Sequence, residues 1–319
     1  MLKIQENIQL APFTTFRIGG PAKFFVSVES GEELAEAIEY AKENGLKYFI
    51  LGGGSNLLVS DDGFEGLVIK IDSKLFMVHG FSIGSGAGVA LSKVVKESLD
   101  REFSGMEWAM GIPGTVGGAI RGNAGAFGSD MSDVIKTVNY IDKRDLYEES
   151  GGKKTVKIKS LSNAECEFAY RESIFKQNLD LTILSAVFDL KKGDKEESEK
   201  IIKDIIKKRT TSSPAGLGSP GSFFKNPVVS KPDLIAQFES DKNTKSKNNK
   251  IPAGWLIERV DLLGKKIGGA MILERHGNFI VNTGNATAQD VIMLSSYVKQ
   301  QVRDKLGVEL HEEVQYVGF

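Results

Sequence analysis

Residues 46–58 read Leu46-Lys-Tyr-Phe-Ile-Leu51-Gly52-Gly53-Gly54-Ser55-Asn56-Leu57-Leu58, an apolar run that passes straight into three glycines. The run Leu46–Leu51 predicts a buried strand. The glycines then set consecutive backbone N–H groups at its end with no side chain in the way. Such a nest takes anions, phosphate oxygens above all, because glycine lets a ligand approach the backbone. A tight turn without a ligand fits the same residues. No Lys-Ser/Thr pair follows at the spacing of a Walker A loop. Gly84-Ser85-Gly86-Ala87-Gly88-Val89 matches the dinucleotide fingerprint only loosely, with Val89 at the third glycine position and no clean candidate for the acidic residue expected about 20 residues on. Residues 105–128 hold eight glycines and predict turns or ligand-facing backbone rather than helix. Three glycine-rich stretches so close in sequence point to a long ligand such as a dinucleotide.

The 35 glycines in 319 residues, about 11% against an average near 7%, are therefore clustered for a reason. The chain is long enough for about two domains and for a core that needs no disulfide or metal. Lys and Arg total 41 against 42 Asp and Glu, a balance that argues against a nucleic-acid partner but not against a small anionic ligand. The single Cys166 excludes an internal disulfide and any Cys-rich metal centre, and His79, His276 and His311 make no HExxH motif. No apolar run reaches membrane-spanning length and no basic-then-apolar leader opens the chain. The expectation is a soluble cytoplasmic protein, a monomer by default.

Outward from the glycines, residues 30–45 predict a helix with Ser30 and Glu33 as a capping box and Leu34, Ile38 and Ala41 as its stripe. Strands are expected at Leu67–Ile71, Val138–Ile141, Thr155–Ile158 and Leu181–Leu190, with a hairpin of Phe76–Val78 and Phe81–Ile83 around His79-Gly80. Leu91, Val94, Val95 and Leu99 mark one helix. Residues 195–209 mark another, with Ile201, Ile202, Ile205 and Ile206 inward. A Ser/Pro/Gly-rich linker runs from Thr210 to Gly221. Residues 240–250 predict a solvated or mobile loop. Helices at 253–260 and 287–306 and a strand at 309–317 complete a smaller α/β unit, and the order of elements is α+β rather than alternating βαβ.

Several motifs fall into one pattern. Thr14-Thr-Phe-Arg-Ile-Gly-Gly-Pro21, Leu51–Leu58, Gly111-Ile-Pro-Gly114-Thr-Val-Gly117-Gly118 and Asn123-Ala-Gly125-Ala126 come first. Tyr170-Arg171-Glu-Ser173, Gly221-Ser222-Phe-Phe-Lys225-Asn226-Pro227, Ala253–Glu258 and Leu310-His-Glu-Glu313-Val314 follow. In order and over essentially the whole chain, these resemble the UDP-N-acetylenolpyruvoylglucosamine reductase family. The resemblance implies two FAD-binding subdomains of the PCMH/VAO type, 1–70 and 71–209, and a C-terminal α/β substrate-binding domain, 210–319. It implies non-covalent FAD, with NADPH as the co-substrate that reduces it. The implied substrate is UDP-N-acetylglucosamine enolpyruvate, reduced to UDP-N-acetylmuramate for peptidoglycan.

That chemistry dictates residue types. Hydride addition beside a carboxylate makes an enolate, which needs a cationic or hydrogen-bonding clamp and then a proton from a placed donor. The resemblance implies Ser222 as donor and Arg171 and Glu313 as the clamp. A carboxylate can help an enolate only if it is protonated or acts through water, so a raised Glu313 pKa is expected. It implies Tyr170, Lys225 and Asn226 against the substrate. FAD contacts are implied for Gly52, Gly53, Gly54, Ser55, Asn56, Gly111, Gly114, Thr115, Gly117, Gly118, Asn123 and Gly125. Strict alternation in a strand at 310–317 instead singles out Glu312 as the anomalous carboxylate, so both glutamates stay in view.

The sequence departs from the family pattern twice. After Arg209, Ser212 stands where the family carries a lysine, leaving Lys225, Lys207 or Lys208 to supply the phosphate-facing charge. After Leu190 the chain passes through Lys191–Lys195 directly into a charged helix, without the tyrosine-bearing capping loop of one subclass, although Gly221–Pro227 resembles that subclass. Two other classes compete: a PCMH-type oxidase of alcohols or sugars sharing only the flavin half, and a non-redox nucleotide-sugar binder with the glycines as phosphate cradle.

Overall fold

The computed structural model describes residues 2–150, 153–212, 214 and 216–319. Ser213 and Ala215 of the expected linker, and the Ser212 side chain, lie outside the described residues. The chain divides into two compact units. One comprises Met1–Ile8, Ala22–Gly53 and Glu65–Arg209; the other comprises Gln9–Pro21, Gly54–Phe64 and Thr210–Phe319.

In the first unit, Gln5–Gln9, Pro21–Val28, Phe64–Ile71 and Tyr48–Leu51 form a four-stranded sheet in that order. The last two are parallel, with Tyr48 opposite Leu67 and Leu51 opposite Lys70. Helix Gly31–Glu43 buries Leu34, Ala35, Ala37, Ile38 and Ala41, a broader stripe than the three positions read from sequence. Ser30 Oγ accepts the Glu33 N–H at 3.2 Å, while Glu33 returns a bond to the Glu29 N–H at 2.7 Å. The box is thus closed one residue early. A second, antiparallel sheet runs Lys159–Ser162, Ile135–Asp142, Leu181–Asp189, Ser82–Gly86, Phe76–His79. Helix Leu91–Asp100 brings Leu91, Val94 and Val95 into the same core as Ile83, Val138, Ile141 and Phe188.

The second unit has less regular structure. Its sheet is Lys266–Ile267, Ala270–Ile272 and Ile280–Asn282. Leu57–Val59 and Gln315–Val317 pair in parallel. Helices Pro232–Lys242, Ala253–Arg259 and Ala288–Leu306 surround a core of Phe16, Leu58, Phe223, Phe224, Trp255, Leu256 and Val298. Helix Ala288–Leu306 starts in a capping box of Thr287 and Asp290. The Asp61 carboxylate accepts the Ala288 and Gln289 N–H groups at 2.8 and 3.1 Å, satisfying donors that no helical carbonyl reaches.

Four expectations need correction. Val116–Arg121 is helical inside the glycine-rich stretch, because the Val116 and Gly117 N–H groups find the Val89 and Ala87 carbonyls at 2.9 Å and seat the turn. The strand expected at Thr155–Ile158 spans Lys153–Val156, and Ile158 is exposed. In helix Lys195–Ser212 only Ile202 and Ile205 face inward; Ile201 and Ile206 are exposed, since four consecutive apolar positions exceed one helical face. The terminal strand is only Gln315–Val317. Strands Gln5–Gln9, Pro21–Val28 and Leu57–Val59 and helix Pro232–Lys242 carry no clear period and escape the sequence reading.

Phe188 is wholly buried in the first unit's core. Phe188→Ala is expected to destabilise the protein by about 3–5 kcal/mol, read as a lowered urea midpoint at unchanged slope.

Candidate active site

The three glycine-rich stretches meet in the first unit. A Cβ on Gly53 would stand 2.6 Å from Gly114 Cα and 3.0 Å from its carbonyl carbon, and one on Gly52 would stand 2.8 Å from Thr115 Oγ1. A Cβ on Gly117 would stand 2.8 Å from the Ala87 Cβ. The Leu91 N–H bonds the Gly114 carbonyl at 3.0 Å, and the Gly117 N–H bonds that of Ala87 at 2.9 Å. Loops 52–53, 84–91 and 111–118 therefore touch backbone to backbone, which only glycine permits at this distance. Gly118 lies on the same turn, where a Cβ would stand 3.6 Å from Thr115 Oγ1.

This junction leaves polar atoms unanswered. Thr115 Oγ1 is buried without a hydrogen-bond partner among the described residues, and so are Arg209 Nε and Nη2. Arg209 lies beside Gly111, where a Cβ would stand 3.1 Å from its Cδ, with its guanidinium carbon 5.3 Å from the Phe127 ring centre. Lys208 Nζ sits 5.8 Å from the same ring. Desolvation lowers the Arg209 pKa from its ordinary value, yet a guanidinium stays charged in proteins. A buried cation and hydroxyl without partners are costly and suit an anionic, oxygen-rich ligand. By this test the residues fit a dinucleotide such as FAD.

Asn123 is 2% exposed with φ 40°. Its Nδ2 donates to the Ala169 carbonyl at 3.0 Å and its Oδ1 accepts the Ser132 N–H at 3.1 Å. It thereby shapes the bend that presents its own carbonyl and that of Gly125 to Arg171, whose Nη1 and Nη2 reach them at 3.4 and 2.8 Å. The Arg171 guanidinium stacks 5.1 Å from the centre of the Tyr170 ring, which is itself exposed. Arg171 also has positive φ, 60°, in a turn closed by reciprocal Ala169 and Glu172 backbone bonds at 3.1 Å.

The second unit carries Ser222, Lys225, Asn226 and Glu313, and also Gly54, Ser55 and Asn56. Gly221 turns the chain with φ 85°, leaving Ser222 exposed while Phe223 and Phe224 are buried. The Glu313 N–H donates to the Phe223 carbonyl at 2.8 Å, and the Lys225 N–H to that of His311 at 2.9 Å. The chain segments bearing Ser222 and Glu313 are thus directly joined. Asn56 Nδ2 donates to the Glu313 carbonyl at 3.1 Å, and its own carbonyl accepts the Gln315 N–H at 3.0 Å, so this side chain holds the glutamate's strand. Asn226 Oδ1 accepts the Ala253 N–H at 3.0 Å, at the start of a helix. The Glu312 carboxylate is taken by Lys299 at 2.9 and 3.2 Å. Arg171 and Tyr170 belong to the first unit.

Arg209 and Asn278, the latter packed on Phe224, are missed by the sequence reading. Arg209 gave only the weak signal of a cation ending an amphipathic helix. Asn278 gave one too: a lone amide abutting the apolar run Phe279–Val281.

Comparison with known proteins decides what this arrangement belongs to. A model of the C-terminal domain of UDP-N-acetylenolpyruvoylglucosamine reductase matches residues 213–317, and a model of an FAD binding domain matches residues 22–145. The UDP-N-acetylenolpyruvoylglucosamine reductases of Solibacter usitatus and Caldanaerobacter subterraneus are 35% and 38% identical over 99% of this chain and 97% and 94% of their own lengths. The chain belongs to the UDP-N-acetylenolpyruvoylglucosamine reductase family. A crystal structure of the reductase from Thermus caldophilus covers 99% of this chain and 100% of its own, with a TM-score of 0.76 at 30% identity. Membership of the reductase family makes the chain a flavin-dependent oxidoreductase with FAD as cofactor and an α+β flavoprotein fold. Among the described residues no helix is long and apolar enough to cross a membrane. Strand Leu181–Asp189 passes through Lys191–Lys192, paired with Phe103–Ser104, into the helix at Lys195, so no capping loop intervenes there.

Gly53→Ala drives a methyl group into the Gly114 backbone, which has no flexible end to yield. The purified variant is expected to keep its far-UV circular dichroism but carry much less flavin per chain, read from the visible flavin band. Parental flavin content would refute the role given to this contact.

Proposed function

We propose that the chain reduces UDP-N-acetylglucosamine enolpyruvate to UDP-N-acetylmuramate, a cytoplasmic step of peptidoglycan synthesis, at the expense of NADPH and as a monomer. The observation that carries this reading is the Phe223–Glu313 backbone bond. It joins the segments of the two residues that match the family's proton donor and carboxyl. The two FAD-binding subdomains are read as 1–70 and 71–209 and the substrate-binding domain as 210–319. When bound and reduced, FAD would supply the hydride, from its N5, that the enolpyruvyl methylene carbon receives.

The chain's own residues handle the charge and the proton. Arg171, whose guanidinium is oriented by the Asn123 and Gly125 carbonyls, is a fixed cation for the substrate carboxylate and the enolate that develops from it. Glu313 helps either protonated or through a water, because a second carboxylate anion in direct contact would repel the enolate. Ser222 delivers its hydroxyl proton to the carbon next to the carboxylate, and water reprotonates the alkoxide. Its exposure at the tip of the Gly221 turn supports that access. Gly52, Gly53, Gly111, Gly114, Thr115, Gly117, Gly118, Asn123 and Gly125 are read as holding FAD, together with Gly54, Ser55 and Asn56. Arg209 supplies a phosphate- or carboxylate-facing cation where Ser212 cannot, and Lys208 and Lys225 are further candidates for that charge. Tyr170 and Asn226 line the substrate.

The test is anaerobic. Bleaching of the flavin by NADPH, then recolouring on addition of the enolpyruvyl substrate, is expected; bleaching without recolouring would remove the substrate assignment. Ser222→Ala is expected to be reduced by NADPH at near-parental rate. Its substrate turnover should fall by about 10²–10⁴-fold. A loss below about tenfold would exclude Ser222 as the proton donor, since positioned general acids contribute more than that.

A further inference from the structure

The Ser222 turn is gripped by a side chain outside every family motif quoted above. Asn278 is 4% exposed. Its Oδ1 accepts the Phe224 N–H and its Nδ2 donates to the Phe224 carbonyl, both at 2.9 Å. Its main-chain carbonyl accepts the Phe223 N–H at 2.9 Å. Its own N–H donates to His276 Nδ1 at 3.1 Å. One residue thus pairs with Phe223 and Phe224 as a whole neighbouring strand would. On the other side of the segment stand the Glu313 N–H and the His311 carbonyl. Every main-chain polar group from the Phe223 N–H to the Lys225 N–H is paired. The two phenylalanine rings lock edge to face at 5.1 Å.

The N-terminal side of Ser222 is softer. Gly221 takes φ 85°, and its N–H makes a 3.2 Å bond to Ser219 Oγ. Ser219 is itself held by Thr15 at 2.7 and 3.0 Å, so the backbone bonds nearest Ser222 are densest on its Phe223 side. A translation of that segment by a fraction of an ångström would move Ser222 relative to Glu313, because both hang on the Phe223 peptide.

We propose that Asn278 is a positioning residue for the proton-donating step: its carboxamide fixes the Ser222-Phe223-Phe224 segment against the segment that carries Glu313. The proposal rests on the reading of Ser222 and Glu313 given above. Asn278→Asp keeps the acceptor for the Phe224 N–H but turns an oxygen toward the Phe224 carbonyl. Asn278→Ala removes both bonds. Neither change touches the glycine junction of the first unit.

The two half-reactions are measured separately by rapid mixing without oxygen, normalised to flavin-loaded protein. In both variants, reduction of the flavin by NADPH is expected within twofold of the parent, with unchanged FAD affinity. Reoxidation by the enolpyruvyl substrate is expected to fall about tenfold to hundredfold, the scale of a reacting group displaced by about 1 Å. The solvent deuterium isotope effect on that step should rise as proton delivery becomes limiting. Reoxidation within twofold of the parent overturns the proposal. So does an equal loss in both half-reactions, which would mark a merely structural residue. Should Asn278→Ala fail to fold, Asn278→Asp and Asn278→Ser carry the same comparison. Unimpaired reoxidation in Ser222→Ala would remove the underlying reading instead; impaired Ser222→Ala beside normal Asn278 variants would remove this proposal alone.

Discussion

A buried peptide group must find a partner, and in the second unit much of the architecture answers that demand with asparagine side chains. Among its described residues the unit has a three-stranded sheet and one short parallel pair, so few of its loops can borrow a ladder. Asn278 pairs with Phe224. Asn282 Nδ2 reaches the Phe16 and Arg17 carbonyls while its Oδ1 takes the Gly284 and Ala286 N–H groups. Asn226 holds the start of helix Ala253–Arg259, and Asn56 holds the Glu313 carbonyl. A carboxamide carries both a donor and an acceptor, like the peptide it imitates. Irregular backbone can therefore be fixed as firmly as a strand while Ser222 stays at the surface.

The first unit uses the opposite device. There the loops are held by removing side chains, so that Gly53 lies on Gly114 and Gly117 on Ala87. The polar atoms at this junction are not all satisfied: Thr115 Oγ1 and two nitrogens of Arg209 are buried without partners among the described residues. Leaving such groups unpaired costs stability. A ligand that pairs them binds the folded state alone and returns that stability by mass action. A flavin bound at this junction would thus help to hold this unit's loops, whereas the Ser222 segment of the second unit is ordered by its own residues.

The sequence made the repeating elements legible where period and cap agree. Helix Gly31–Glu43, helix Leu91–Asp100, helix Ala288–Leu306 and the hairpin at His79-Gly80 fall within a few residues of expectation, because each joins a stripe to a stop signal. It failed where pairing partners are distant. Leu57–Val59 is too short to show alternation, and its partner Gln315–Val317 lies at the far end of the chain. The glycine junction was legible as three stretches wanting one ligand, but their convergence depends on Val89 and Ala87 carbonyls that no local pattern marks. Asn278 gave only a weak local signal for the same reason: its meaning lies in Phe224, 54 residues away.

The pair Glu312 and Glu313 shows a periodic argument losing its premise. Alternation singled out Glu312 because it assumed a strand from residue 310. The backbone is regular only from Gln315; before it, Phe224 and Glu312 form one isolated bridge. The two carboxylates are then separated by their neighbours rather than by a sheet's faces. Lys299 closes on Glu312 from helix Ala288–Leu306, and such a half-exposed pair adds little stability. It does fix where that carboxylate points. Glu313 is anchored through its main chain at both ends, by Phe223 and by Asn56. Its side chain is therefore positioned by a backbone that also positions Ser222. A group that must meet a substrate in concert with another is best hung from the same rigid element as its partner, and of the two glutamates Glu313 is the one whose main-chain N–H is bonded to the Phe223 peptide that follows Ser222.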